Sequence, residues 1–196
     1  YEPASGTITS TSPEGRQTVT TLDALGRPSS VQVGDLAPTS FHYDAQGRLH
    51  QRMQGARTTT FGYDSRGYLD AVTDPLTRTV SFTNDAIGRA LTQTFPDSRT
   101  ATFRFDGNSN LRGLTPPGRP EHSFDYTGVN MLETYTPPTA PGTGPTGYSY
   151  DTARRPRVVT RADGQTLTFA YETGTGRLES LTTPTGATTY GYESGT

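Results

Sequence analysis

The 196-residue sequence has no cysteine, which excludes a disulfide framework and any thiolate metal site. It also has no lysine: all 17 basic residues are arginine. With 19 acidic residues interleaved among them and a net charge of -2, there is no basic stripe to attract nucleic acid or an anionic membrane. The densest basic cluster, Arg154-Arg155-Pro156-Arg157, reads as a solvated turn. Apolar residues make up only 30% of the chain, and no apolar run approaches bilayer length, so membrane insertion by this segment is not expected. No charged-then-apolar leader opens the sequence, and no stretch shows a sustained helical period with caps.

What is abundant is glycine and proline, 22 and 15 residues. Such a composition raises the question of disorder. The small net charge and the regular placement of the aromatics argue against it. A tyrosine-type position recurs at Tyr1, Leu22, Tyr43, Tyr63, Asn84, Phe105, Tyr126, Tyr150, Tyr171 and Tyr192, at intervals of 20 or 21 residues with one of 24. Self-similarity at a fixed period marks a repeat architecture, in which a unit cannot bury its apolar face alone. Tyr1-Glu2 opens in the same phase as Tyr192-Glu193, so the sequence reads as a single repeat array over 1–196, cut from a longer one.

Each period follows one grammar. An alternating segment such as Thr58-Thr59-Thr60-Phe61-Gly62-Tyr63 has the period-two pattern of a half-buried strand. Asp64-Ser65-Arg66-Gly67 then makes a turn, because aspartate accepts hydrogen bonds from the backbone two residues on and glycine takes positive φ. A second strand returns, and a more variable turn such as Asp74-Pro75-Leu76-Thr77 reverses the chain again. Among these second turns, Asp163-Gly164 is one of the stronger two-residue hairpin signals. Where tyrosine is followed by glutamate, as at Tyr1-Glu2 and Tyr171-Glu172, the first turn is read as one residue longer. The long interval contains a Pro/Gly-rich insertion at 136–147, too dense in proline for a central strand. The expected fold is all-β: about nine antiparallel hairpins of about 21 residues each, side by side in a ribbon.

An aromatic pair precedes the first turn at Phe41/Tyr43, Phe61/Tyr63, Phe103/Phe105, Phe124/Tyr126, Tyr148/Tyr150, Phe169/Tyr171 and Tyr190/Tyr192, with Phe82/Asn84 as the broken member. These positions hold fifteen of the chain's nineteen Tyr and Phe residues. Residues at i and i+2 share a face, so the pattern predicts two rows of rings across the strands, stabilised by ring–ring contact. The rows serve either as the sheet's own core or as a platform for sugar rings.

No catalytic, cofactor-binding or metal-binding residue is nominated. His42, His50 and His122 lie in different repeats without ligand spacing. His42 and Asp44 share a face, yet no serine stands in a glycine elbow to complete a triad. A calcium loop needs several oxygen ligands within a few residues, and Asp-x-x-Gly offers one carboxylate. The recurrent residues Tyr43, Asp44, Gly47, Arg48, Tyr63, Asp64, Gly67, Asp85, Gly88, Arg89, Phe105, Asp106, Tyr126, Tyr150, Asp151, Tyr171 and Tyr192 are therefore taken as a structural motif.

Phe-His-Tyr-Asp-Ala-Gln-Gly-Arg-Leu at 41–49, Tyr63-Asp64 with Gly67, Asp85 with Gly88-Arg89, and Thr73-Asp74-Pro75-Leu76 resemble the tyrosine-aspartate (YD) repeats of rearrangement-hotspot (RHS) proteins. The resemblance covers essentially the whole chain. It implies a ribbon of hairpins that curves into a hollow shell. In bacterial members, including Tc-toxin cocoon components and polymorphic toxins, the shell encloses a toxic C-terminal domain; in teneurins a similar shell serves cell-surface adhesion. The implied role is a non-enzymatic, cofactor-free wall segment, secreted or at the cell surface. Its implied partners are neighbouring YD repeats and an encapsulated toxin or effector. Adhesion to a cell-surface protein, or carbohydrate binding by the aromatic rows, is the alternative. The family's autoproteolytic core segment has no counterpart here, and the departures at Leu22, Asn84, Thr127 and Arg154 suggest locally altered turns.

Overall fold

The computed structural model describes residues 6–139 and 143–193. Tyr1, Glu2 and the corner they open lie outside that range, as do residues 140–142 of the Pro/Gly-rich insertion. No helix occurs among the described residues, and hence none long and apolar enough to cross a membrane.

The chain forms two compact units, Tyr1–Arg99 and Thr100–Thr196. The first holds β1 (Thr7–Thr11), β2 (Gln17–Leu22), β3 (Pro28–Val33), β4 (Thr39–Tyr43), β5 (Leu49–Gln54), β6 (Arg57–Tyr63), β7 (Leu69–Thr73), β8 (Thr79–Asn84) and β9 (Ala90–Thr94). Each strand pairs antiparallel with the next. The second unit holds β10 (Thr100–Phe105), β11 (Leu111–Thr115), β12 (His122–Tyr126), β13 (Leu132–Thr136), β14 (Thr146–Tyr150), β15 (Pro156–Thr160), β16 (Thr166–Tyr171), β17 (Leu178–Thr183) and β18 (Gly186–Thr189). Its strands follow the same sequential antiparallel order.

The expected all-β succession of hairpins is thus the observed architecture. A single-layer sheet buries little. Ala101, 6% exposed, is the one buried hydrophobic residue among those described, and the aromatic positions from Phe41 to Tyr171 are half-buried.

Each hairpin carries a β-bulge where the tyrosine strand meets the return strand. Gly62 faces Ala71 while Tyr63 faces Leu69, leaving Asp70 as the extra residue. The same shift recurs at Tyr43, Tyr126, Tyr150 and Tyr171, and at Leu22 and Asn84, where tyrosine is replaced. The extra residue is left out of the ladder and locally increases strand twist.

Most first turns are four-residue turns closed by a residue with positive φ and followed by the bulge; at Glu172 the turn is one residue longer, the Gly176 amide donating to the Glu172 carbonyl at 3.1 Å. At Asp44 the Gly47 amide donates to the Asp44 carbonyl (2.9 Å) and the Asp44 amide donates to the Arg48 carbonyl (2.9 Å). The turns at Thr127 and Asp151 keep this pattern. The expectation of altered turns there is therefore corrected: the geometry persists, with Asn130 (φ 61) and Arg154 (φ 64) in the glycine position. Asp163-Gly164 is a second correction. The turn spans Arg161–Gly164, with the Gly164 amide donating to the Arg161 carbonyl and the Arg161 amide to the Gln165 carbonyl. Gly164 alone takes positive φ, whereas a two-residue type I′ turn requires it at both central residues.

The second turn at Asp74 uses the first turn's grammar with Thr77 at φ 62. A β-branched side chain is disfavoured there by roughly 1–2 kcal/mol. Thr77→Gly relieves this strain at some cost in unfolded-chain entropy. It is expected to stabilise the chain by about 0.5–1 kcal/mol, measured as a raised denaturation midpoint at unchanged m-value; no rise would mean that the turn does not strain Thr77.

Candidate functional site

The residues that recur most strictly gather at the forks between successive hairpins. At each fork the ladder between hairpins ends before the strands do. Between β5 and β6 the last pair on that side is Gln51 with Thr60, which leaves the Leu49 carbonyl beyond the ladder. The Tyr63 hydroxyl donates to it at 2.8 Å. The same bond runs from Tyr43 to Pro28 (2.8 Å), Tyr126 to Leu111 (3.0 Å), Tyr150 to Leu132 (2.7 Å), Tyr171 to Pro156 (2.9 Å) and Tyr192 to Leu178 (3.0 Å). Asn84 substitutes its side-chain amide, donating to Leu69 at 2.9 Å.

Over the tyrosine ring lies an arginine of the preceding hairpin. Arg27 sits 4.1 Å from the Tyr43 centroid, Arg48 4.4 Å from Tyr63, Arg155 4.2 Å from Tyr171 and Arg177 5.1 Å from Tyr192. The first three of these arginines are in turn held by their own turn aspartate. Asp44 Oδ1 accepts from the amides of Gln46 and Arg48, while Oδ2 accepts from Arg48 Nε at 2.8 Å. Equivalent ion pairs join Asp23 to Arg27, Asp85 to Arg89 and Asp151 to Arg155. The next turn closes the arrangement: a Cβ on Gly47 would meet Arg27 Nη1 at 3.1 Å, so glycine there admits the guanidinium as well as the positive φ.

Variants keep the roles and change the residues. Arg66 pairs with Asp64 and donates to the carbonyls of Asn84 and Asp85 (2.9 and 2.8 Å). Tyr68 occupies the usual arginine position and lies against Gly88, with its hydroxyl reaching Ala86. Asn110 takes the arginine's place beside Asp106 and shares Asn130 Oδ1 with Asn108. Phe105 ends β10 opposite Leu111, at the same bulge.

The expected ring–ring rows are corrected by this geometry. Equivalent positions in successive hairpins are two strands, roughly 9.6 Å, apart, beyond the range in which rings interact. The guanidinium occupies the interval. Rings do meet where a return strand supplies one: Tyr135 lies 5.4 Å from Phe124 and 5.9 Å from His122, whose Nδ1 is 2.7 Å from the Tyr135 hydroxyl. Arg155, read as part of a solvated basic turn, is instead half-buried in a clamp. Sequence reasoning listed Arg48 and Arg89 but passed over Arg27, Arg155 and Arg177; the signal was arginine or its substitute four or five residues after each turn acid.

Hydrogen-bond donors around the turn carboxylates hold their pKa values below the usual carboxylate range. At Asp23 and Asp151 the following arginine's amide is the leading cause, and at Asp74 the Arg78 guanidinium. At Asp44, Asp64 and Asp85 partial burial pulls upward most strongly, but amide and guanidinium donors together outweigh it and the net shift is down. A carboxylate depressed in the folded state contributes stability above its unfolded value of about 3.9 and loses it as pH falls through the lower folded value. Thermal stability is expected to fall as pH drops below about 4, and Asp44→Asn, Asp64→Asn and Asp85→Asn together should flatten that fall; an unchanged acid limb in a circular dichroism melt series would refute the assignment. Arg48→Met should cost about 1 kcal/mol in chemical denaturation. Arg48→Lys should recover little, because an ammonium lacks the planar fork that stacks and pairs at once.

A family model described as Teneurin YD-shell matches residues 1–196. No curated protein matches the chain significantly. Among solved structures, the Tc holotoxin pore of Photorhabdus luminescens aligns with a TM-score of 0.62 at 17% identity, over 90% of this chain and 12% of that one. The TcdB2-TccC3-TEV crystal structure aligns with a TM-score of 0.56, also at 17% identity and over 90% and 12% of the two chains. The chain thus spans about an eighth of the length of these neighbours, and the likeness is one of fold. Together with a fork geometry built on the tyrosine and aspartate that recur in most repeats, the match over its full length establishes that the chain belongs to the teneurin YD-shell family.

Proposed function

We propose that the chain is a non-enzymatic wall segment of a YD-repeat shell that encloses a C-terminal toxin or effector polypeptide, in a protein that is secreted or displayed at the cell surface. The observation that carries this reading is the clamp. The recurring tyrosine hydroxyls, arginines and turn aspartates are spent on joining one hairpin to the next. A run of hairpins linked in this way supplies area and stiffness, which is what a wall needs. Neighbouring repeats are its first partners, and the enclosed polypeptide its second.

Adhesion or sugar binding through the aromatic rows has less support, since guanidinium groups already cover Tyr43, Tyr63 and Tyr171. In the full-length protein that contains this segment, the polypeptide following the repeats is expected to resist protease. It should become cleavable once Arg27, Arg48, Arg89 and Arg155 are replaced by methionine. A C-terminal region digested equally fast with and without the clamps would rule out enclosure, and turnover of a substrate by the purified repeats would rule out a passive wall.

A further inference from the structure

The fork between the Thr127–Met131 and Asp151–Arg155 turns departs from the others. Thr127 stands where the aspartate would be and Met131 where the arginine would be. Among the described residues, the hydrogen bond that crosses this fork is the one from the Tyr150 hydroxyl to the Leu132 carbonyl, 2.7 Å. The tyrosine is therefore seated as in other repeats, but the guanidinium that should lie on it is missing. In its place is a cleft of about 500 Å³, lined by Thr127, Met131, Glu133, Tyr148, Tyr150 and Arg154 among others. Val129, at the tip of the turn, is 52% exposed at its margin.

We propose that this cleft receives an arginine side chain from another polypeptide. The chain itself defines the ligand chemistry: four other forks hold a guanidinium 4.1–5.1 Å from an equivalent tyrosine ring. Here the ring is in place and two carboxylates, Glu133 and Asp151, border the cleft. Asp151 already holds Arg155, whereas Glu133 is the exposed bulge residue of β13 and is free to pair. Arg154 also lines the cleft, but its guanidinium lies over neither ring. A planar cation stacks on the ring and reaches a carboxylate at once; an ammonium satisfies only the second demand. The site goes beyond the wall reading and does not depend on it.

The two methionines, Met53 and Met131, give a built-in reporter and control. In the full chain labelled with [13C-methyl]methionine, titration with N-acetylarginine amide is expected to shift the Met131 resonance saturably and leave Met53 in place. The isosteric, uncharged N-acetylcitrulline amide should bind about five- to ten-fold more weakly, the size of a partly exposed cation–π contact. Tyr150→Leu should abolish the shift. Because that change also removes a structural hydrogen bond, a second variant is needed: Thr127→Asp with Met131→Arg rebuilds the resident clamp, keeps the fold and should eliminate binding measured by calorimetry. Equal responses to arginine and citrulline, equal shifts at both methionines, undiminished binding to the rebuilt clamp, or a response to oligosaccharide but not to arginine would each overturn the proposal.

Discussion

The rest of the structure depends on the carbonyl that each hairpin leaves beyond the end of its ladder. The bulges at Tyr43, Tyr63, Tyr126, Tyr150 and Tyr171 increase the local strand twist, and inter-hairpin pairing ends early, as at Gln51 with Thr60. A backbone acceptor stranded beside a sheet with almost no buried core would have only water to satisfy it, and water would loosen the fork. The tyrosine hydroxyl reaches that acceptor from the next hairpin. Once the ring is placed, its face is available to a cation; once the cation is placed, an aspartate is needed to hold it. The Asp-x-x-Gly-Arg sequence is the local record of a contact made to the following repeat.

This order of dependence explains which substitutions the repeats accept. Asn84 reaches the same carbonyl with an amide donor, at the loss of the ring and hence of any stacking surface. Asn110 satisfies Asp106 in the arginine's place and passes the link on to Asn130, whose αL conformation costs asparagine less than most residues. Tyr68 fills by volume what Arg66 has vacated by moving its guanidinium toward Asp64 and the Asn84 carbonyl. What is kept through these changes is a donor to the stranded carbonyl and a body filling the fork. The exclusive use of arginine fits the same demand, since lysine supplies charge without a plane.

The fold was legible because strand alternation and turn chemistry are local. The Phe61/Tyr63 spacing and the Asp64 to Gly67 turn could be read without knowing what lay beside them. The clamp was not, because Arg48 and Tyr63 meet across a fork, and nothing short-range distinguishes an arginine that stacks on a ring from one that points into water. The bulges were hidden for a related reason: inserting one residue such as Asp70 leaves each strand's own alternation readable and shows only in its pairing. Asp163-Gly164 misled because the same dipeptide serves a two-residue turn and the end of a longer one, and the choice is made by the flanking pair of Thr160 with Thr166.

Energetically the array is a chain of nearest-neighbour terms. Thr77, Ser98, Ser109, Asn130 and Arg154 all hold positive φ without being glycine, each at a cost of order 1 kcal/mol. No single turn could absorb all of that. Spread over separate hairpins, each is offset locally by the hydrogen bonds of its own turn and by the clamps on either side. The junction of β13 with β14 is where these supports thin together. Its described ladder has two pairs, Thr134 with Gly147 and Tyr135 with Thr146; the Pro/Gly-rich insertion leaves one end, and the fork without a resident arginine lies at the other. Where the forks at Tyr43, Tyr63, Tyr171 and Tyr192 are closed by the chain's own arginines, this junction is where a contact from outside has the least to displace.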